Sequence, residues 1–317
     1  MRRVTIACST IVAVHAACAQ PAVVGFDATR GGTASLAAGS GFTQMRDGLL
    51  AAFPGMTIRS VGTISGLNPA TDDVVILSSA RGAVSAITPL TAQEQTNLRT
   101  FVEAGGAAIL FVDNDTFAGA ASDPANESMI DPFGLDIAGT GAGWQRTAHI
   151  TNPASTTITT GQFGTITSFG IGWTGWFTNL GPYATSLATT VDNAQPCLAM
   201  IPCNTISPGS GPVVIFADST MAANGYMTPN NLSLIENAMA FATQSCVGGC
   251  DSIDFNNDGL FPDTTDIEDF LSVFSGGPCS TAPVPGCNDA DFNNDGLLPD
   301  TLDIESLLSV FSGGPCL

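Results

Sequence analysis

The phrase DFNNDGLFPD at residues 254–263 returns as DFNNDGLLPD at residues 291–300, a repeat at a spacing of 37 residues. In D-x-N-x-D-G the alternate side chains carry oxygen and the glycine permits a sharp turn, so the oxygens converge on one point. Hard oxygens gathered in that way make a calcium site. The first copy offers Asp254, Asn256 and Asp258, the Leu260 carbonyl, and Asp266 as the closing carboxylate. The second offers Asp291, Asn293, Asp295, the Leu297 carbonyl and Asp303. In both, the closing acid stands one residue later than in the standard loop and is Asp rather than Glu. Asp263 and Asp300 are therefore open to contributing directly or through water. Two calcium ions are the expected cofactors.

A second set of acids lies earlier in the chain. Asp113 and Asp115 end the apolar run AAILFVDN, and Asp218 and Ser219 end PVVIFADS. Open α/β sheets bind ligands beyond the carboxyl ends of their strands, so these four could hold a metal or work as an acid/base pair. Aspartates also favour loop entries and helix caps, and that reading stays open. A serine nucleophile lacks its usual G-x-S-x-G context, and a triad would have to recruit His149, which falls in an irregular region. With no C-x-x-C pair and one histidine beyond the leader, a zinc cluster is not expected. Trp173, Trp176, Phe169 and Phe177 in TSFGIGWTGWFTNLGPY could line a ligand face or fill the sheet core.

The elements that must position these groups are legible. AVVGFD, MTIRSVG, DVVILSS, AAILFVDN and PVVIFADS predict five strands, with helices at TQMRDGLLAAF, TAQEQTNLRTFVEAGG and NLSLIENAMAFA. Thr91 and Glu94 form a capping box, and Gly105-Gly106 end that helix. Residues 20–245 therefore predict an α/β domain with a β-rich insertion at about 115–210. The phrases DDVVILSS, LRTFVEAGGAAILFVDN and GPVVIFADSTM resemble the glutamine-amidotransferase-like superfamily, in particular its non-catalytic members of class I type in exported proteins. That resemblance implies a flavodoxin-like three-layer sandwich. The superfamily's enzymes set a cysteine nucleophile on a strand-to-helix elbow beside a histidine. No cysteine lies in or beside a predicted strand before Cys197, so amidotransferase activity is not expected.

Each acidic loop is followed by one helix, DIEDFLSVFSGG or DIESLLSVFSGG, with matching apolar positions Ile267, Phe270, Leu271, Phe274 and Ile304, Leu307, Leu308, Phe311. Neither helix can bury its face alone, so the pair must share one small core. A duplicated loop with a single following helix resembles dockerin modules of the GC type. The resemblance implies a small all-α calcium-binding domain over residues 246–317 and docking onto a cohesin-like or other surface receptor.

Residues 1–19 place Arg2 and Arg3 before a short apolar run and Ala17-Cys18-Ala19, which predicts a secretory signal and an exported protein, extracellular, surface-held or periplasmic. No later segment is apolar for long enough to span a membrane. With 28 acidic against 8 basic residues and a net charge of −20, nucleic acid is excluded as a partner. Export makes disulfides plausible. A pseudo-twofold axis through the tail would exchange Cys250 with Cys287 and Cys279 with Cys316. Pairing within each unit would span a helix of roughly 15 Å, beyond the roughly 4.4–6.8 Å a disulfide tolerates. Cys279–Cys287 and Cys250–Cys316 are therefore expected, with Cys197–Cys203 as a third bridge and Cys246 left over. Two functions fit: a non-catalytic surface or assembly protein attached by its tail, or an extracellular hydrolase, carbohydrate-directed, delivered by the same tail.

Overall fold

The computed structural model describes residues 20–139, 147–151, 157–191, 194–207, 209–243, 250–260, 263–283, 286–293 and 301–314. The expected signal at 1–19 lies outside them. All five predicted strands are present: β1 (Ala22–Phe26), β2 (Thr57–Val61), β3 (Val74–Ser78), β4 (Ala107–Phe111) and, late in the chain, Val213–Phe216. Four more strands precede that last one: β5 (Thr147–Ile150), β6 (Ser168–Gly170), β7 (Thr185–Thr190) and β8 (Pro196–Ile201), so Val213–Phe216 is β9. The nine form one mixed sheet in the order β6-β5-β7-β8-β9-β4-β3-β1-β2.

The run from β2 to β9 is parallel throughout. Strands β3, β4 and β9 are buried along their whole length, as continuous apolar runs such as VVILS and AAILF require. β2 is an edge strand with an exposed, polar pattern. Its Arg59 grips Asp72 through Nε (2.8 Å) and Nη2 (2.6 Å). The remaining strands, β5 to β8, come from the insertion, and they extend the sheet antiparallel beyond β9. The insertion is thus a continuation of the main sheet, because β8 presents a fully buried CLAMI run that pairs with the free side of β9.

Helices α1 (Thr43–Ala52), α2 (Ala92–Glu103), α3 (Ser122–Ile130) and α4 (Pro229–Ala242) accompany the sheet. α1 packs beside α4, and α2 meets α3 by way of the turn at Asp131–Phe133. Trp176 starts a strand that pairs with Asp136–Ala138, and Phe169 and Phe177, each 3% exposed, fill the core.

A second apolar cluster lies in the tail: Phe255, Phe270, Phe292 and Leu307. Phe270 of α5 (Thr264–Phe274) meets Phe255 and Phe292 edge-on at 5.3 and 6.0 Å. The two units pair reciprocally. The Asp251 amide donates to the Phe292 carbonyl (2.8 Å), and the Asn288 amide donates to the Phe255 carbonyl (2.9 Å). Because 251 corresponds to 288 and 255 to 292 across the repeat, this is a local twofold relation. Leu271 and, on α6 (Thr301–Phe311), Leu308 are 49% and 52% exposed, outside the shared core where the sequence placed them. One residue along a helix turns the side chain by about 100°, and Val273 and Val310 take the inward places.

Cys279 and Cys287 form a disulfide, with Cα atoms 5.6 Å apart. Cys250 and Cys203 are also disulfide-bonded; Cys316 and Cys246 lie outside the described residues. The expected Cys197–Cys203 bridge does not form, since Cys197 is a buried free thiol. Cys197 stands near the start of β8 and Cys203 beyond its end. Six extended residues separate such groups by roughly 20 Å, too far for a disulfide. Among the described residues no helix is long and apolar enough to cross a membrane.

Glu94 ties three elements together. Its carboxylate takes Arg30 Nη1 (2.7 Å) and Nη2 (3.2 Å), the Ile64 amide (3.0 Å) and the Thr91 amide (3.0 Å), completing the capping box of α2. Burial alone would raise its carboxyl, but Arg30 and the amides hold it below the ordinary value. A carboxyl lowered on folding contributes stability that is complete above its unfolded value and lost as pH falls through the folded one. Glu94→Ala should cost about 3 kcal/mol in urea unfolding at neutral pH, and the deficit should shrink below the ordinary Glu value of 4.5. A deficit that does not change with pH would contradict this account.

Candidate functional site

Parallel pairing sets the geometry of the strand ends. Phe111 and Phe216 are register partners, their rings stacked at 4.9 Å, and the ladder runs on through the Val112 amide to the Phe216 carbonyl. Two residues further along each strand come Asp113 and Asp218, at matching heights and 4% and 1% exposed. The sequence named both acids but could not show that they are neighbours.

Each carboxylate is held by local donors. Asp113 Oδ1 accepts from the Asn114 amide (2.8 Å) and side chain (2.9 Å), and Oδ2 accepts from Ser219 Oγ (2.5 Å). Asp218 accepts from the Thr220 amide (2.8 Å) and the Gly172 amide (2.5 Å). Asn126 supports the pair from α3: its Oδ1 accepts from the Asp113 amide and Ser79 Oγ, and its Nδ2 donates to the Asp113 carbonyl. Burial, then the Asp218 charge, pushes the Asp113 carboxyl up to about 8. Burial raises Asp218 as well.

Asp113 and Ser219 line a cavity of about 370 Å³ with Phe42, Trp173, Thr220 and Tyr226. Its walls are the loops that leave β1, β3, β4 and β9, the crevice where this strand order changes direction between β1 and β3. Phe42 forms the floor, edge-on to Phe111 at 5.9 Å. Asp218 is not part of the lining, and neither is Asp115, whose carboxyl is raised by burial and by Asp123. His149 is on β5, three strands from β9, roughly 14 Å away at the usual spacing. It cannot complete a triad with Ser219. Cys197, beneath β9's end, is pushed up by burial and by Asp218 and is inert as a nucleophile. Sequence reasoning missed Phe42 and Tyr226 because nothing in their local phrases marks a strand-end loop as a wall.

Elsewhere Glu127, Asp131 and Asp136 bring carboxyl oxygens within 4.8 Å of one another, and burial, then the Asp131, Asp136 and Asp123 charges, pushes Glu127 up to about 7.

In the tail, the Asp258 amide donates to both Asp254 Oδ1 (3.0 Å) and Asn256 Oδ1 (3.1 Å), so these two oxygens converge. The Gly259 amide donates to Asp254 Oδ2 (3.0 Å), and the residue turns at φ +80°. Asp266 is fully buried, with Oδ1 facing the Asn256 amide (3.4 Å) and Oδ2 accepting from the Asp263 amide (2.9 Å). Asp263 caps α5 through the Thr265 amide (2.7 Å). In the second unit Asp303 is equally buried and faces the Asn293 amide at 3.4 Å, the counterpart contact. Asp291 is 9% exposed; Asp295, Leu297 and Asp300 lie outside the described residues.

No protein-family model and no curated protein matches the chain. Among solved structures it is similar to the "mmIFT52 N-terminal domain", with TM-score 0.53 and 12% identity over 70% of this chain and 97% of that one. This likeness is one of fold. An exo-β-1,4-mannosidase from Opitutaceae bacterium strain TAV5 (TM-score 0.44, 12% identity, 71% of this chain) and a β-galactosidase from Bacillus circulans sp. alkalophilus (TM-score 0.43, 11% identity, 73%) are also similar. The chain spans 36% and 32% of the lengths of those two enzymes.

A carboxyl raised on folding takes up a proton between its unfolded and folded values, so stability falls as pH rises through that window. For Asp113 the window runs from 3.8 to about 8. Urea unfolding at several pH values, with calcium held constant, should show Asp113→Asn flattening the decline. An unchanged slope would mean that the buried pair carries no proton.

Proposed function

We propose that this chain is an exported, non-catalytic binding and display protein. A flavodoxin-like, amidotransferase-like sandwich presents the crevice, and a calcium-loaded dockerin-like tail attaches the protein to a surface or assembly. The observation that carries this reading is the full burial of Asp266 and Asp303 in a segment, 251–317, that has 13 acids and no lysine, arginine or histidine. A buried carboxylate without a countercharge is costly. Backbone amides meet part of that cost for Asp266; a divalent cation would meet the rest.

The repeated D-x-N-x-D-G spacing supports such an ion. Asp254, Asn256 and Asp258 with the Leu260 carbonyl would hold it in the first unit, and Asp291, Asn293, Asp295 and the Leu297 carbonyl in the second, closed by Asp266 and Asp303. Calcium would supply charge and cross-linking there, and no reaction. Binding would couple to folding of the tail, because the repelling carboxylates close on one another only around a cation. The twofold relation between units supports an attachment module, with a cohesin-like or other surface receptor as partner.

Support for a non-catalytic crevice comes from the state of its polar groups. The Asp113 oxygens are engaged by Asn114 and Ser219, and among the described residues the lining contains no histidine, cysteine, lysine or arginine. A hydrolase reading survives on one observation, that Asp113 and Ser219 both face the cavity.

Calorimetric titration of the metal-stripped mature chain should take up two calcium equivalents. Asp266→Ala and Asp303→Ala should each remove one, and retention on the source cell envelope should be lost in chelator. Absence of calcium uptake, or attachment that persists in chelator, would overturn the tail reading. Turnover of a glycan or ester substrate, abolished by Ser219→Ala, would overturn the non-catalytic one.

A further inference from the structure

Resting on the binding reading of the crevice, we infer that it takes an uncharged polyhydroxylated ligand, a neutral sugar residue or short oligosaccharide, stacked on Trp173 and Tyr226. The first ground is shape. The 370 Å³ cavity adjoins a second of about 340 Å³, and the two share Asp113, Phe117, Trp173 and Thr220. Trp173 therefore stands at the junction of two lobes, each of the size that small ligands occupy.

The second ground is the aromatic surface. Trp173 and Tyr226 are 44% and 49% exposed, whereas Phe42 beside them is buried and Phe117 half-buried. Trp173 is held in place by its neighbours: its carbonyl accepts from Asn114 Nδ2 (2.7 Å), and the preceding Gly172 amide is fixed on Asp218. A flat ring fixed by backbone contacts costs little ordering when a ligand's C–H face settles on it.

The third ground is charge. Among the described residues no lysine, arginine or histidine lines either lobe, and the chain carries −20 overall, so phosphates and carboxylates are repelled. The acid in the lining, Asp113, has both oxygens occupied by Asn114 and Ser219, which leaves a cation without an open carboxylate to meet. Ser219 Oγ lines the cavity beside Asp113 and keeps a lone pair that can accept from a ligand hydroxyl.

The test uses the full mature chain with calcium present. Gluco-, manno-, galacto- and xylo-configured neutral tetrasaccharides are titrated by calorimetry and tryptophan fluorescence, beside tetramethylammonium as the cation and oligogalacturonate as the anion. The expected result is binding of at least one neutral series. Trp173→Ala should weaken it about tenfold with circular dichroism and calcium uptake unchanged, and Tyr226→Ala should weaken it where Tyr226→Phe does not. Binding of tetramethylammonium or oligogalacturonate alone, no neutral binding, or binding indifferent to both aromatics would overturn the inference. Cleavage of a bound saccharide would keep the inference and overturn the non-catalytic reading. Calcium-dependent attachment without saccharide binding would overturn the inference and leave the attachment reading standing.

Discussion

The parallel pairing of β4 with β9 is the constraint on which the rest of the α/β unit depends. These strands are separated by about a hundred residues of chain, yet they lie in register along their length, with Phe111 stacked on Phe216. Register then dictates what happens past their ends. Asp113 and Asp218 arrive side by side, Ser219 reaches Asp113, and the turn at 171–175 is pinned over β9 by Asp218 and by the Gly175 amide on the Ala217 carbonyl (2.8 Å). Trp173 owes its place to that turn. The insertion is tolerated because loop closure grows slowly with length and because its own strands repay the ordering by extending the sheet from β9.

Much of this was legible in the sequence. VVILS and AAILF have the unbroken apolar character of strands covered on both faces, and Thr91 with Glu94 announces a helix start in four residues. What was not legible is pairing at long range. Asp113 and Asp218 were each visible as strand-end acids, but their contact depends on strand order, which local phrases do not encode. Asp115, two residues from Asp113, reads the same way in sequence and ends up outside the cavity. Cys197 misled for a related reason: flanking prolines look like loop punctuation, and CLAMI between them is a buried strand. In the tail, Leu271 and Leu308 fit the apolar repeat and yet face outward, because only the partner unit decides which part of a broad apolar stripe is covered.

The two parts of the chain handle buried acid in opposite ways. At the strand ends, Asp113 and Asp218 are surrounded by amides and hydroxyls, and desolvation with mutual repulsion favours the protonated form. Asp269 in the tail shows what donors alone can do: burial would raise it, but Ser280's hydroxyl and amide and the Asn256 side chain hold it low. Asp266, a turn earlier on the same helix, accepts from the Asn256 and Asp263 amides instead. Loop carboxylates drawn up to it would repel it, and on the proposed calcium reading a cation at the centre would offset that repulsion.

That contrast bears on what each part can recognise. With its one lining carboxyl raised by burial towards the protonated form, the crevice offers little charge, so a ligand there would be selected by shape, hydroxyl acceptors and aromatic faces, and salt should hardly affect it, since there is little Coulombic attraction to screen. The tail is the reverse, a dense array of carboxylates without a basic residue, and on the proposed reading its fold would follow the cation. If both proposals hold, a charge-neutral crevice and a cation-governed module would act independently: loss of calcium would release the anchor without altering the pocket, and a ligand in the pocket would leave attachment unchanged. The Cys279–Cys287 bridge closes the short connection between the units, so the tail has less freedom to gain on opening, whatever opens it.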